Sequence, residues 1–192
     1  MVDHDRRNAL VGMTLLPLIA GAAATTPAFS QDGQPANRPK SLVAFFTRTG
    51  NTRVVANQIR HAISSDIVEI VPARPYPEDY QQTVDQARRE TEEGFEPALR
   101  DTVGAIGSYE VVYLGFPIWG MTAPPIIRSF LSTHSLAGKT VVLFITHGGY
   151  GVGSSLSVLA DRAPGARLVD GFVIEADQER RTLERVTGWL GG

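Results

Sequence analysis

Five short apolar runs separated by amphipathic segments are the feature that most constrains the fold of this chain. The runs are rich in β-branched residues and do not alternate with polar ones, which is typical of strands covered on both faces of a parallel sheet. A chain that alternates such strands with helices is predicted to form one three-layer α/β domain. The apolar runs occupy residues 42–46, 67–71, 111–116, 141–145 and 168–174.

The segments between the runs predict amphipathic helices. In the first of them, Val55, Ile59 and Ala62 recur at helical spacing, and four later segments repeat the pattern. Five strands alternating with five helices predict a doubly wound sheet. The later helical faces consist of Tyr80, Val84 and Ala87; of Ile127, Phe130 and Leu131; of Leu156, Leu159 and Ala160; and of Leu183, Val186 and Leu190.

The first thirty residues are predicted to be a secretory signal peptide. A charged start with Arg6 and Arg7 precedes an uncharged stretch over 9–24, and the small residues Ala28 and Ser30 precede the expected cleavage position. The stretch is shorter than the ~20 residues that span a bilayer, so we expect no stable membrane anchor after cleavage. The paired arginines resemble a twin-arginine signal, with the general secretory route as the alternative. We therefore expect a bacterial protein that is periplasmic or otherwise exported.

Composition and charge exclude several classes of function. Apolar residues make up 43% and charged residues 20% of the chain, which indicates a folded globular domain. The net charge of -2 gives no basic surface for nucleic acid. The absence of cysteine excludes disulfides, thiolate metal sites and a catalytic cysteine, and the dispersed histidines suggest no metal site. We predict a signal peptide over 1–30, a polar linker over 31–40 and a single domain over 41–192.

Three loops are expected to carry the chemistry. In doubly wound sheets, ligands bind beyond the carboxyl ends of the strands, where the strand order reverses. The loops after the first, third and fourth runs are rich in glycine, small hydroxyls or aromatic residues, unlike the rest of the chain. Their sequences are TRTGNT (47–52), PIWGMTAPP (117–125) and THGGYGVGSS (146–155).

The first loop favours an anion site at the start of a helix. It offers the hydroxyls of Thr47, Thr49 and Thr52, and Gly50 permits close approach of the backbone to a ligand. The loop lacks the lysine of a triphosphate-binding loop, which favours a terminal monophosphate. Taken alone, the loop is equally compatible with an ordinary helix start capped by Asn51 or Thr52.

The other two loops could form the walls of a ring-binding site. Trp119 could stack on a planar ring or pack on the following helix. Gly148 and Gly149 would let backbone amides face a ligand, whereas His147 could lie near the ligand or in solvent. The glycines over 149–153 partly imitate a dinucleotide-binding fingerprint, but too few strands and helices follow them for that fold.

Together, the loops resemble those of the flavodoxin-like family. The motifs are FFTRTGNTRVVANQI (45–59), PYPEDY (75–80), YLGFPIWGMTAPPIIRSFL (113–131) and FITHGGYGVGSSL (144–156). The resemblance covers residues 41–190 and implies the short-chain fold, with a five-stranded parallel sheet of order 2-1-3-4-5 and bound FMN.

The resemblance also implies a role for each loop. The first would hold the FMN phosphate, Trp119 would stack on the isoalloxazine ring, and the third loop would border the pyrimidine side of that ring. We assign no catalytic residue and no metal ligand. The predicted cofactor-binding residues are Thr47, Arg48, Thr49, Gly50, Asn51, Thr52, Pro117, Ile118, Trp119, Gly120, Thr146, His147, Gly148 and Gly149.

Two functions remain open at this point. One is an FMN electron carrier that exchanges electrons with a redox partner protein. The other is an FMN-dependent NAD(P)H reductase of quinones or similar small-molecule acceptors. A flavin-free binding module would require damaged loops, and these loops are intact. Electron-carrying flavodoxins are usually strongly acidic, so the nearly neutral charge departs from the family and does not favour a basic docking partner.

Overall fold

The computed structural model describes residues 39–175 and 186–191. Three predicted features lie outside these ranges: the signal peptide, residues 31–38 of the linker and Leu183 of the last helix. Residues 186–190 are helical. The other elements are β1 (Ser41–Phe45), α1 (Asn51–Ile63), β2 (Asp66–Glu69), α2 (Tyr80–Glu92), β3 (Val111–Pro117), α3 (Pro125–Thr133), β4 (Thr140–His147), α4 (Ser155–Arg162) and β5 (Arg167–Glu175).

The strands form one parallel sheet in the order β2-β1-β3-β4-β5. The predicted fold class and strand order are therefore confirmed. The second apolar run extends past β2, but Ile70 still donates its backbone N–H to the carbonyl of Phe45 at 2.6 Å. The strand order reverses between β1 and β3, so a crevice for ligands is expected at the carboxyl ends of these two strands.

Helices cover both faces of the sheet because the buried strands present alternate residues to each side. On β1, Leu42 and Ala44 belong to the cluster that contains residues of α3 and α4. Val43 and Phe45 belong to the opposite cluster, which contains residues of α1 and Val186. In the described ranges, no helix has the length and hydropathy to cross a bilayer.

Helix α2 differs from the expectation based on its apolar spacing. Its buried residues are Thr83, Ala87 and Glu90, whereas the side chains of Tyr80 and Val84 are 68% and 37% exposed. The predicted amphipathic face is present as a stripe on the helix. Most of that stripe does not pack into the core, however, and it faces the cavity described next.

Candidate functional site

A cavity of about 570 Å³ lies at the carboxyl ends of β1, β3 and β4, within the ~300–1,000 Å³ that is usual for ligand sites. All the predicted cofactor-binding residues except Gly50 and Gly149 line it. One face of α2 forms a further wall, which includes Tyr80, Val84 and Ala87. The structure thus brings the three predicted loops together and adds a helix to them.

The start of α1 is open toward a ligand. The N-cap residue is Gly50, with a φ of 95° and no side chain capping the helix. Thr47 Oγ1 accepts the N–H of Gly50 at 3.0 Å, so this hydroxyl closes the loop below the helix. The interpretation with Asn51 or Thr52 as cap is therefore wrong, because both belong to the helix. The N–H groups of a first helical turn have no intrahelical acceptor, which suits them to bind an anion.

The first loop is joined to the end of β4 by a pair of threonines. The Oγ1 atoms of Thr52 and Thr146 lie 2.9 Å apart, and these residues are 1% and 3% exposed. Thr49, by contrast, is exposed on the same loop. The first loop and the end of β4 therefore offer the cavity a buried, hydrogen-bonded pair of hydroxyls and the exposed hydroxyl of Thr49.

Arg48 connects the first loop with the start of α2. Its NH2 group donates to the carbonyl of Glu78 at 2.8 Å, and its guanidinium carbon lies 5.6 Å from the centre of the Tyr80 ring. The other ionisable side chains that line the cavity are Arg88, Glu92 and His147. The cavity is therefore lined by side chains of both charges, and its two arginines, Arg48 and Arg88, lie on the side near α2.

Trp119 stands between the cavity and two aromatic rings. Its ring centroid is 5.2 Å from that of Phe46 and 4.9 Å from that of Tyr76, in edge-to-face contacts. Trp119 and Thr122 exchange backbone hydrogen bonds of 3.0 and 3.1 Å. The two residues between them have positive φ angles, as in a tight hairpin turn. The turn and the two rings together fix the tryptophan on the cavity wall.

A buried acid lies behind these rings. The Tyr76 hydroxyl donates to Oε2 of Glu90 at 2.8 Å. Burial, and secondly this hydrogen bond, raise the pKa of Tyr76 far above its ordinary value, although the charge of Arg128 acts in the opposite direction. The hydroxyl of Tyr76 therefore keeps its proton and remains a donor across the physiological pH range.

In the third loop, His147 lines the cavity and turns one ring nitrogen toward the backbone. Its Nδ1 atom accepts the N–H of Gly149 at 3.1 Å, so the proton of the neutral ring lies on Nε2. Gly149, with a φ of 104°, lies beside Glu175 and away from the cavity lining. Gly148 is the one glycine of this loop that lines the cavity.

The second and third loops are hydrogen-bonded to each other. The N–H of Ile118 donates to the carbonyl of Thr146 at 2.9 Å, and the N–H of Ser154 donates to the carbonyl of Met121 at 2.9 Å. These bonds fix the spacing between Trp119 and the end of β4. Across residues 39–175 and 186–191, no group of three or more acidic or histidine side chains could hold a metal ion.

Comparisons with known proteins agree with this geometry. A family model described as flavodoxin matches residues 40–191, which is most of the chain. The chain belongs to the flavodoxin family. The family predicted from the sequence is therefore confirmed, and FMN, the predicted cofactor, is the cofactor that the family implies. No match was found among curated proteins.

Two solved structures show the same flavodoxin fold with high coverage. A candidate flavoprotein from Bacteroides eggerthii is 35% identical, with a TM-score of 0.68, over 80% of this chain and 96% of that one. A flavoprotein from Lactobacillus acidophilus, solved in complex with FMN, is 21% identical, with a TM-score of 0.59, over 76% of this chain and 99% of that one. The second likeness supports the fold alone.

The wall formed by α2 is the part of this flavodoxin site that the sequence did not predict. Tyr80 ends the PYPEDY motif, which entered the prediction only as a family resemblance. The available signal was the composition of α2, since YQQTVDQARRETE has few apolar residues with which to cover a sheet. A helix with so narrow an apolar stripe is better suited to a cavity wall than to a core.

Proposed function

We propose that the cavity binds FMN and that the protein acts in electron transfer. The observation that carries the proposal is the uncapped start of α1. Its free N–H groups lie among the hydroxyls of Thr47, Thr49 and Thr52, in the same cavity as Trp119. These groups fit a terminal phosphate, and a cavity wall with an indole fits the planar ring attached to it.

Each part of the cavity then has a role. The first turn of α1 and its threonines bind the phosphate, while Trp119 and Gly148 orient the ring and exclude water from it. His147 holds a proton on Nε2 at the cavity edge. When bound, FMN supplies the redox chemistry by accepting and releasing electrons. The chain supplies binding and orientation, and we assign no side chain as an acid or base.

The first experiment measures FMN binding to the purified protein. We expect a yellow protein and, after FMN is removed, quenching of flavin fluorescence on titration. Thr49→Ala and Thr52→Ala should each weaken FMN binding by about tenfold or more, because Thr49→Ala removes a hydroxyl that can donate to a charged phosphate and Thr52→Ala also breaks the bond that joins the loop to β4. Thr133→Ala, at the exposed end of α3, is the matched control. A colourless protein that does not quench added FMN would refute the proposal.

A second experiment distinguishes electron transfer from reductase activity. The loaded protein is reduced anaerobically with dithionite and, separately, with NADPH. Reduction by dithionite with negligible oxidation of NADPH supports an electron carrier, which serves a redox partner protein or a small-molecule acceptor. Rapid bleaching by NADPH, followed by turnover with a quinone, would instead identify an NAD(P)H reductase.

We also propose that the protein is exported to the periplasm through its first thirty residues. The support is the sequence pattern alone, with Arg6 and Arg7 before the uncharged stretch. Replacing both arginines with lysine should leave uncleaved precursor in the cytoplasm of a bacterial host. A precursor that is processed normally would exclude the twin-arginine route and favour the general secretory one.

A further inference from the structure

Trp119 is held by two rings with different kinds of support. Phe46 directly follows β1 and is 5% exposed, so core packing fixes it. Tyr76 lies in the connection between β2 and α2, outside any strand or helix. The centroids of these two supporting rings are 6.2 Å apart. The Tyr76 ring packs half-buried against the core, and its hydroxyl makes one further contact that can fix the ring's orientation.

A buried carboxylate on α2 makes that contact. Glu90 is 8% exposed. Its Oε2 accepts the Tyr76 hydroxyl and its Oε1 accepts the Gln86 amide, each at 2.8 Å. Burial of a carboxylate is costly unless its oxygens accept hydrogen bonds, and both oxygens do so here. A carboxylate held at both oxygens defines where the hydroxyl of Tyr76 must lie.

We propose that Glu90, acting through the Tyr76 hydroxyl, is a positioning residue that sets the orientation of Trp119 for the FMN ring. Neither Glu90 nor Tyr76 lines the cavity, whereas the indole that the Tyr76 ring contacts does line it. The inference rests on the proposed function, because that function assigns Trp119 to the ring.

The test uses a parent protein with Trp189→Phe, which leaves Trp119 as the sole tryptophan. Tyr76→Phe removes one hydroxyl and keeps the ring, and Glu90→Leu removes both acceptors. Glu90→Gln keeps an oxygen that can accept from Tyr76 and serves as the conservative variant. Near-UV circular dichroism of Trp119 is recorded without FMN, and the FMN dissociation constant is measured by fluorescence titration.

Tyr109→Phe is the matched control. The Tyr109 hydroxyl also donates to a carboxylate, Oδ2 of Asp66, at 2.8 Å. This pair lies at the amino end of the sheet, opposite the cavity. The control variant therefore removes the same chemistry without touching the support of Trp119.

We expect Tyr76→Phe and Glu90→Leu to lose most of the near-UV signal of Trp119 and to weaken FMN binding by about tenfold. Glu90→Gln and Tyr109→Phe should stay within about twofold of the parent. An unchanged Trp119 signal in folded Tyr76→Phe would overturn the inference, and so would Glu90→Gln behaving like Glu90→Leu. If Glu90→Leu fails to fold, Tyr76→Phe and Glu90→Gln decide the result.

The two proposals fail in different ways. A parent that does not bind FMN refutes the proposed function, while the dichroism recorded without FMN still decides whether Glu90 and Tyr76 orient Trp119. A parent that binds FMN, with variants that bind it equally well and keep the Trp119 signal, refutes the positioning role alone.

Discussion

The hydroxyl oxygens of Thr52 and Thr146 lie 2.9 Å apart, although the two residues are 94 positions apart in the chain. This buried hydrogen bond joins the first turn of α1 to the end of β4. It therefore connects the part of the cavity proposed to bind the phosphate with the part proposed to border the ring. The hydrogen bond thereby fixes the placement of the two parts relative to each other.

A double-mutant cycle measures this connection. Thr52→Val or Thr146→Val alone leaves one buried hydroxyl without its partner and should lower the unfolding free energy by about 1–3 kcal/mol. The double variant should lose at least about 1 kcal/mol less than the sum of the singles. Urea unfolding without FMN gives these values, with Thr133→Val as the exposed control. Strict additivity would contradict the hydrogen bond.

The indole of Trp119 should contribute to FMN affinity through its aromatic character. Trp119→Ala is expected to weaken binding by about tenfold or more, whereas Trp119→Phe, which keeps an aromatic ring, should weaken it less. Trp189→Phe is the control, since this tryptophan packs on Tyr113 and Phe172. Fluorescence titration provides the dissociation constants. Equal affinity of the alanine and wild-type proteins would remove Trp119 from the site.

The stripe on α2 should contribute little to stability. Val84 is 37% exposed and lines the cavity, whereas Val55 on α1 is 0% exposed. The same substitution therefore has different expected results. Val55→Ala should lower the unfolding free energy by about 2 kcal/mol, and Val84→Ala should change it by less than about 0.5 kcal/mol. A large loss for Val84→Ala would show that the stripe packs in the core.

Alkaline pH should destabilise the protein partly through Tyr76. Burial raises its folded-state pKa above the unfolded value of 10.0. Above pH 10 the unfolded chain loses the Tyr76 proton while the folded protein keeps it, so the unfolding free energy falls as pH rises. Tyr76→Phe should reduce this slope in urea unfolding between pH 9 and about 11. Tyr150→Phe, at a residue that is 79% exposed, is the control.

Part of the alkaline slope should remain in Tyr76→Phe. A hydrogen bond to Asp66 raises the pKa of Tyr109, and burial raises that of Tyr113. These groups act in the same direction as Tyr76. A Tyr76→Phe variant with the full wild-type slope would contradict the burial of that hydroxyl.

The sheet could be predicted because each strand carries its own local signal. The apolar runs and the family motifs together specify the strand order, and the order in turn places the three loops at one edge. Helical spacing was less informative for α2, because it shows which residues share a face and not what that face meets. Tyr80 and Val84 therefore appeared in the expected stripe but on an unexpected surface.

Within the site, the local rules for helix starts misplaced the cap. Asparagine and threonine are favoured N-caps, yet the cap is Gly50, one residue before Asn51 and two before Thr52. The link from Glu90 through Tyr76 to Trp119 is also absent from any local pattern. It depends on the packing of three separate segments, and a single sequence contains no record of such contacts.

The hydrogen bond from Ser154 to the carbonyl of Met121 has a kinetic consequence. Met121 has a φ of 65°, which a non-glycine residue adopts only when its surroundings enforce it. The second and third loops are thus coupled, and outward movement of one of them alone would break this hydrogen bond. We expect this coupling to slow the exchange of a bound FMN, because an opening of either loop must first break the hydrogen bond between them. If the protein is exported as proposed, slow release would let it keep FMN that it had bound in the cytoplasm.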